Sequence, residues 1–347
     1  MKILIILMGS IGDVVRGLSV AESVKESIKG SKIYWAIEPK SLPVLECSKG
    51  AVDKIILFNR NGGLKEFPRF ISELRRERYD IVFDMQRHFK SGLVSFLSGA
   101  KRRVGFHRKN AKEFNWIFNN EYIEPCESSY PKVLHYQKFL SSVGITPGLP
   151  RWSLFRPSDL KDAFSDFVKS VSGRYVVLVA DAAWKSKRWI QRGYEELLCR
   201  LIFEADLKVV LVGGRAGEDL SGYLRSRFPQ DGKLLDLVGK TSLSEASYII
   251  QNAIFCIGPD TGLGHISAAL GVPYISVFGP TNPARVAPWG MEELVVRAEL
   301  ECMPCGKKVC PLGTGECMRK VSGDMVWEKA KTVLESKGGA LEVDYSC

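Results

Sequence analysis

Apolar runs that alternate with amphipathic stretches constrain the fold of this chain more than any other feature of its sequence. After Gly9-Ser10-Ile11-Gly12, apolar residues recur every three or four positions and predict a helix with one apolar face, made of Val14, Leu18, Ala21, Val24 and Ile28. Five apolar runs in the first half predict strands, at Lys2–Met8, Lys32–Ile37, Lys54–Phe58, Asp80–Asp84 and Arg102–Phe106. This alternation is typical of βαβ units with a parallel sheet.

A second series of the same kind follows a region rich in proline and glycine, Ile145–Ser158, which predicts a linker. Its predicted strands are Arg174–Ala180, Lys208–Val212, Ala253–Gly258 and Tyr274–Phe278. Its predicted helices are Tyr194–Glu204, Leu243–Gln251, Thr261–Leu270 and a last one at Asp324–Ser336. The pattern predicts an α/β protein of two doubly wound, Rossmann-like domains facing a central cleft.

The breaks in the pattern divide the chain into residues 1–155, residues 156–322 and a C-terminal helix and tail, 323–347. With 347 residues, each of the two domains is long enough to bury its own core. In doubly wound sheets ligands bind at the carboxyl ends of the strands, so the loops that follow strands are the places to look for function.

The charge of the chain is concentrated in its first half. Residues 1–150 hold 24 Lys and Arg against 15 Asp and Glu, whereas the remainder holds 25 against 24. This balance predicts an acidic partner for the first half, with a merely solvated basic surface as the alternative. No nucleic-acid recognition motif or aromatic platform accompanies the basic residues, so we expect no nucleic-acid partner.

Two further features of the composition bear on the cellular compartment in which the protein is found. No run approaches the roughly 20 apolar residues of a membrane span. The cysteines are odd in number, nine, and five of them are scattered, which favours reduced thiols in a cytoplasmic protein over a disulfide framework.

The first candidate loop is Gly9-Ser10-Ile11-Gly12-Asp13. Its glycines allow close backbone approach to a ligand, and a helix start favours an anion. Asp13 has two interpretations: a residue that caps the helix, or a carboxylate that acts as a general base. The residue pattern by itself favours the cap.

Two more clusters follow predicted strands of the second half. In Trp184-Lys185-Ser186-Lys187-Arg188-Trp189, three cations beside two aromatics suit a diphosphate or a phosphorylated sugar. In Gly258-Pro259-Asp260-Thr261-Gly262-Leu263-Gly264-His265, the glycines permit close approach, Thr261 can cap the helix, and His265 can donate to a phosphate oxygen.

These segments, in this order, resemble glycosyltransferase family 9, the heptosyltransferases of lipopolysaccharide core assembly. The most specific part is the run from Asp260 to Pro273 with its continuation Phe278-Gly279-Pro280-Thr281-Asn282-Pro283. Gly12-Asp13-Val14-Val15, Lys187-Arg188-Trp189, Gly213-Gly214 with Glu218, and the cysteine-containing tail also match. The resemblance covers essentially the whole chain.

The resemblance implies a GT-B fold, with the acceptor bound mainly by the first domain and the nucleotide sugar by the second. It implies an inverting transfer of heptose, or a related sugar, from an ADP-sugar to the lipopolysaccharide inner core. Asp13 becomes the candidate base, reversing the preference for a cap, and Lys187 the cation on the donor phosphates. The implied donor-binding residues are Gly12, Lys187, Glu218, Asp260, Thr261, Gly262, Gly264 and His265.

For the acceptor, Ser10 and four basic residues are the candidates: Arg102, Arg103, Arg108 and Lys109. They suit an acidic glycolipid such as a lipid A–core precursor, and equally an anionic membrane surface. We therefore expect a cytoplasmic protein that can bind peripherally to the cytoplasmic face of the inner membrane. Because the sequence contains no Asp-x-Asp pair, we expect catalysis without a metal and without any cofactor other than the nucleotide-sugar substrate.

Four cysteines near the end, Cys302, Cys305, Cys310 and Cys317, could ligate zinc. The second pair is wider than the usual spacing. The family that the chain resembles often carries this tail without being a metalloenzyme, so the resemblance favours structural thiols.

Two alternatives to a transferase remain open at this point. One is a sugar-nucleotide epimerase built from two similar domains, which would need no acceptor and would leave the basic first half unexplained. The other is a non-catalytic protein that binds nucleotide sugars or glycans, which would have no need of a carboxylate at Asp13.

Overall fold

Two compact units, Met1–Arg156 and Pro157–Cys347, make up the chain. The computed structural model describes residues 1–48, 50–63, 65–157, 173–228 and 232–336. Ser158 of the predicted linker and the tail 337–347 lie outside the described residues. Each unit contains one six-stranded sheet in which every described strand pair is parallel.

The sheet of the first unit has the spatial order β3-β2-β1-β4-β5-β6. Its strands are β1 (Lys2–Ile6), β2 (Lys32–Ile37), β3 (Lys54–Leu57), β4 (Ile81–Asp84), β5 (Arg102–Phe106) and β6 (Glu121–Ile123). The central strands read as nearly continuous apolar runs because both of their faces are buried, as parallel sheets require.

The helices of the first unit flank this sheet. They are α1 (Ile11–Ser27), α2 (Leu42–Glu46), α3 (Glu66–Leu74), α4 (Phe89–Leu97) and α5 (Lys132–Gln137). Short 3₁₀ segments occur at Pro39–Ser41, Asn115–Phe118 and Lys138–Val143. The apolar face predicted for α1 is buried, from Val14 through Leu18 and Ala21 to Val24.

The sheet of the second unit has the order β12-β11-β10-β7-β8-β9. Its strands are β7 (Tyr175–Val179), β8 (Lys208–Val212), β9 (Leu234–Asp236), β10 (Cys256–Pro259), β11 (Tyr274–Phe278) and β12 (Val295–Arg297). The three-residue edge strands β6, β9 and β12 are absent from the sequence prediction.

The helices of the second unit are α6 (Gln191–Cys199), α7 (Glu218–Arg227), α8 (Leu243–Gln251), α9 (Gly262–Ala269), α10 (Pro283–Val286), α11 (Glu316–Arg319) and α12 (Gly323–Ser336). A π-helical turn, Arg200–Glu204, continues α6, and 3₁₀ turns occur at Lys185–Lys187, Arg215–Gly217 and Glu292–Leu294. Helix α12 buries Val326, Trp327 and Ala330 in the core of this unit and packs against α6.

Both sheets reverse their strand order at the centre. In the first unit the chain leaves β1 on one side and returns as β4 on the other side, and in the second unit β7 and β10 stand in the same relation. The loops that follow two such strands diverge and leave a ligand-sized crevice at the carboxyl edge of the sheet. Each unit therefore has one place where a ligand is expected. Within the described residues, no helix has the length and apolarity to cross a membrane.

Candidate active site

The loop after β1 places Asp13 at the strand reversal of the first sheet. Ser10, in an extended conformation, holds the N-cap position of α1, and Asp13 lies in the first turn. Asp13 is therefore an N-terminal residue of the helix, where the helix dipole favours a carboxylate, but it is not the N-cap residue itself. Its carboxylate accepts instead from Arg16 Nη1 at 2.9 Å and from Lys132 Nζ at 2.7 Å.

The surroundings of Asp13 keep its carboxyl ionised at neutral pH. Burial acts to raise its pKa, but Lys132 and Arg16 outweigh burial and hold the pKa of Asp13 below its usual range. Burial also lowers the pKa of Lys132, and Asp13 opposes that shift. The site thus holds an ionised carboxylate among several cations.

Residues after β4 complete this edge of the sheet. The Gln86 side chain accepts from Met8 N at 2.8 Å and donates to Gly9 O at 2.9 Å, so it joins the β4 loop to the β1 loop. Arg87 Nε donates to Asn110 O at 2.6 Å, and its guanidinium lies 5.3 Å from the ring centroid of Phe106. Burial lowers the pKa of Arg87, while Tyr136 and Asp13 raise it.

The acceptor candidates divide between the two edges of the sheet. Ser10 Oγ lies 3.4 Å from Asp13 Oδ2, and Arg108 and Lys109 are exposed just beyond the carboxyl end of β5. Arg102 and Arg103 instead begin β5, at the amino edge of the sheet.

Arg102 and Arg103 are also engaged within the domain. Arg102 donates to both carboxylate oxygens of Glu121 at 2.7 Å, and Arg103 donates to Phe118 O at 2.9 Å. The structure does not bring these two arginines to Asp13, and their role as acceptor contacts stays a prediction.

In the second unit, Lys187 and Asp260 meet at the strand reversal. Lys187 follows β7 and Asp260 follows β10, and Lys187 Nζ lies 2.6 Å from Asp260 Oδ2. Thr281, from the loop after β11, donates to the same oxygen at 2.8 Å. The ammonium also lies 4.6 Å from the centroid of the Trp184 ring. Loops of three adjacent strands thus converge on one buried carboxylate.

The glycine-rich turn behind Asp260 forms the start of α9. Thr261 occupies the N-cap position, but its hydroxyl makes no capping bond to the helix, contrary to the prediction. Gly262 begins the helix, and a Cβ on Gly264 would lie 2.8 Å from the Tyr274 ring, so glycine is required there for close packing. His265 is buried in the same helix. The helix start leaves backbone N–H groups for an anion.

Glu218 follows β8, the neighbour of β7, at the carboxyl edge of the second sheet. It is exposed and opens α7, after Gly213-Gly214 at the end of β8. A Cβ on Gly239, which has a φ of +72°, would lie 2.6 Å from Glu218 Oε1, so this glycine leaves room for the carboxylate. Gly12, the remaining donor candidate, is buried in the first turn of α1.

The four clustered cysteines are free thiols. Among the described residues, no group of three or more His, Cys, Asp or Glu is arranged to hold a metal ion. Backbone amides of Gly315 and Leu312 lower the pKa of Cys310, whereas burial raises the pKa of Cys317. Their structural role remains a prediction.

Sequence reasoning missed four residues that the fold brings to these sites: Arg16, Arg87, Lys132 and Thr281. Arg16 could have been found, because residues i and i+3 share a helix face. Lys132 and Arg87 carried no local signal, since the tertiary structure brings Lys132 into contact with Asp13 and Arg87 close enough to interact with its charge. Thr281 lay inside a matching motif, but that motif did not indicate its contact.

Two Rossmann-like domains, each with polar and charged residues at a strand reversal, make up the GT-B fold. The profile of "Glycosyltransferase family 9 (heptosyltransferase)" matches residues 67–315. The chain belongs to this family and is a glycosyltransferase.

Individual relatives agree with this assignment. Lipopolysaccharide heptosyltransferase 1 of Pseudomonas aeruginosa is 27% identical over 343 residues, covering 92% of this chain and 90% of that protein. The fold is similar to that of E. coli heptosyltransferase WaaC with ADP, at a TM-score of 0.77 and 22% identity, covering 96% of this chain and all of that chain. Similarity to a UDP-GlcNAc 2-epimerase from Methanocaldococcus jannaschii is weaker, with a TM-score of 0.56 and 12% identity over 96% of this chain and 93% of that chain.

Proposed function

We propose that this glycosyltransferase moves a heptose from ADP-heptose to the lipopolysaccharide inner core, with inversion at the anomeric carbon and without a metal. The observation that carries the proposal is the pair of sites at the strand reversals. An ionised carboxylate lies among cations in the first unit, and a lysine lies beside an anion-binding helix start in the second. The named relatives, which include lipopolysaccharide heptosyltransferases and a structure with ADP, supply the substrate classes.

The donor is assigned to the second domain, residues 156–322. Lys187 and the N–H groups at Gly262 and Gly264 neutralise the diphosphate, with Thr261 and His265 beside them. Asp260 binds sugar hydroxyls, and Glu218 contacts the nucleoside. Gly12 of the first domain gives the donor close backbone approach. These roles rest on position in the fold and on the family resemblance.

The acceptor is assigned to the first domain, residues 1–155, with Ser10, Arg108 and Lys109 among its contacts. Arg16, Arg87 and Lys132 add a cationic surrounding that suits the acidic sugars and phosphates of a lipid A–core precursor. The third segment of the proposed division, residues 323–347, consists of the C-terminal helix and tail.

The reaction follows from these positions. Asp13 accepts the proton of an acceptor hydroxyl as its oxygen attacks the anomeric carbon, and the bond from that carbon to the β-phosphate oxygen breaks. ADP leaves with the electron pair, and Lys187 with the α9 N-terminus stabilises the charge. A base with a lowered pKa is weak, so proton transfer accompanies carbon–oxygen bond formation.

The protein acts in the cytoplasm, where the nucleotide sugar is available, and binds peripherally to the inner membrane that holds its acceptor. A basic first half supports this location.

The deciding experiment measures ADP release and sugar transfer by the purified protein, with ADP-heptose, a truncated lipopolysaccharide acceptor and EDTA. Asp13→Ala is compared with Asp80→Ala, which changes an exposed carboxylate at the amino end of β4. We expect acceptor-dependent release that persists in EDTA, a product of inverted configuration, and loss of turnover by about 10²–10⁴-fold in Asp13→Ala alone.

Other outcomes separate the alternatives. Acceptor-independent conversion of the donor would indicate an epimerase. Tight donor binding without turnover on any acidic glycan would indicate a binding protein. Full activity of Asp13→Ala would remove this residue as the base.

A further inference from the structure

Large apolar side chains are exposed along one stretch of the first unit. Residues 89–122 contribute six of them: Phe89, Phe96, Phe114, Trp116, Ile117 and Tyr122. Among the described residues of this unit, the other exposed large apolar residues are Met1, Leu57 and Leu149, which come from three separate segments. The first five residues of the six define what we call the aromatic surface. Scattered exposed apolar residues are ordinary, but a concentration of them marks an interaction site.

The two segments that carry the aromatic surface, α4 and Asn115–Phe118, pack against each other through Phe118. The Phe118 ring centroid lies 5.0 Å from that of Phe89 and 6.5 Å from that of Phe96. Gly92 makes this approach possible, since a Cβ there would lie 2.7 Å from Phe118 Cδ2 and 2.9 Å from Asn115 O. The two segments that carry the exposed apolar residues therefore lie next to each other.

In the segment 114–119 polar side chains are buried and apolar side chains are exposed, the reverse of the usual distribution. Asn115 is fully buried and Asn119 nearly so, whereas Phe114 is 71% and Ile117 55% exposed. Asn115 Nδ2 donates to the buried Asp84 carboxyl at 2.6 Å, Asn119 Nδ2 donates to it at 3.2 Å, and Ser95 Oγ donates to Asn119 Oδ1 at 2.8 Å.

Burial raises the pKa of Asp84, and its amide partners oppose that shift. A buried polar network of this kind specifies one arrangement. The fold thus anchors the segment by its amides and directs its apolar side chains into solvent.

The same stretch is strongly basic. Residues 87–122 contain eight Lys or Arg and two Glu. Both glutamates have cationic or ring-nitrogen partners, since Glu113 lies 3.1 Å from His88 Nδ1 and Glu121 pairs with Arg102. Lys90, Lys101 and Lys112 are exposed around the aromatic residues.

We propose that the aromatic surface docks this enzyme on an anionic phospholipid bilayer. Aromatic side chains enter the interfacial region of a bilayer, and neighbouring lysines and arginines interact with anionic headgroups. A second copy of the chain fits less well, because a symmetric contact would bring the same cations together. The proposal deepens the proposed function, which assigns a lipid-linked acceptor, and Phe89 stands two residues after Arg87 of the acceptor site.

The test uses the full-length protein and measures cosedimentation with vesicles. One set contains phosphatidylethanolamine and phosphatidylglycerol, and the other contains phosphatidylcholine alone. The variant F114S/I117S removes apolar surface without opening a cavity, because both side chains are exposed. Leu149→Ser is the matched control, since Leu149 is 73% exposed in the same unit but outside the aromatic surface.

We expect the wild type and Leu149→Ser to bind the anionic vesicles and bind the neutral ones much more weakly. F114S/I117S should lose about tenfold or more in partition coefficient. K90E/K112E should lose binding to anionic vesicles only, and added salt should reproduce that loss in the wild type.

Three results would overturn the proposal. They are wild-type binding by F114S/I117S, equal binding to both vesicle compositions, and a wild-type dimer, seen by light scattering, that dissociates in F114S/I117S. Transfer to a soluble, deacylated acceptor separates this proposal from the catalytic one. F114S/I117S should keep wild-type turnover there, so a failure of vesicle binding leaves the transferase assignment intact.

Discussion

The Lys187–Asp260 pair offers a quantitative test of whether the donor site exists before the donor binds. The two charged atoms are 2.6 Å apart, and the side chains are 15% and 6% exposed. At an effective dielectric constant of about 20, the Coulomb attraction at this separation is about 6 kcal/mol, most of which desolvation offsets.

The perturbation is a double-mutant cycle of Lys187→Met and Asp260→Asn. Breaking a buried pair from one side costs about 3–5 kcal/mol. We expect Lys187→Met to cost about 3 kcal/mol, the low end, because Thr281 still donates to Asp260. The coupling energy between the two substitutions should be about 2 kcal/mol.

The assay is urea-dependent hydrogen exchange, followed by mass spectrometry on peptides from residues 173–228 and 232–336, so that the second unit is measured by itself. Arg188→Met is the matched control. Arg188 is the next residue along, and its pair with Asp181 is longer, at 3.6 Å, and more exposed. We expect its cost to stay below about 1 kcal/mol.

A coupling energy indistinguishable from zero would mean that the pair does not form in solution. Equal costs for Lys187→Met and Arg188→Met would refute the reasoning as well. In either case, Lys187 would have to be positioned by the donor itself.

Two further predictions concern the base and the packing of the second unit. Lys132→Met removes a cation that lowers the pKa of Asp13, so that pKa should rise and the acidic limb of the kcat/KM profile should move to higher pH. The control variant Lys138→Met should leave the acidic limb in place. An unmoved limb in Lys132→Met would contradict Asp13 as the titrating base. Gly323→Ala would place a Cβ 2.7 Å from Leu197 N and 2.9 Å from Gly193 O, and these backbone atoms cannot move aside as a flexible side chain would. We therefore expect the free energy of unfolding to fall by about 1–3 kcal/mol and the Tm to fall by several degrees. Gly222→Ala, with nothing within 4 Å, should melt at or slightly above the wild-type temperature, and equal melting of both variants would argue against the close packing of α12 on α6.

The sequence predicted the central strands well because their signal is local. Lys32–Ile37, Arg102–Phe106, Lys208–Val212 and Tyr274–Phe278 have the bounds that the structure shows. A strand buried on both faces must be apolar throughout, and such a run is visible without knowing its neighbours. The edge strands β6, β9 and β12 have three residues each and no such run, so pairing alone creates them.

The candidate site residues were identified from loops that follow predicted strands, two of which are rich in glycine. Asp13, Lys187 and Asp260 all stand at the strand reversals. The cations around Asp13 could not be predicted as a group, because Lys132 comes from a helix more than a hundred residues away. Arg102 and Arg103 lie away from Asp13 for a simple reason: a basic run at the start of a parallel strand lies at the edge opposite to the loops that follow the strands.

The positions of the strand reversals determine where this enzyme can change without losing its chemistry. The loops after β1, β4, β7 and β10 follow the innermost strands of the two sheets. The core strands of a sheet are the last to open in local unfolding. The candidate site residues Asp13, Lys187 and Asp260 thus follow the innermost strands of their sheets. Insertions beside β3, β6, β9 or β12 alter only the margins of each sheet, so new acceptors can be accommodated there while Asp13 and Lys187 keep their places.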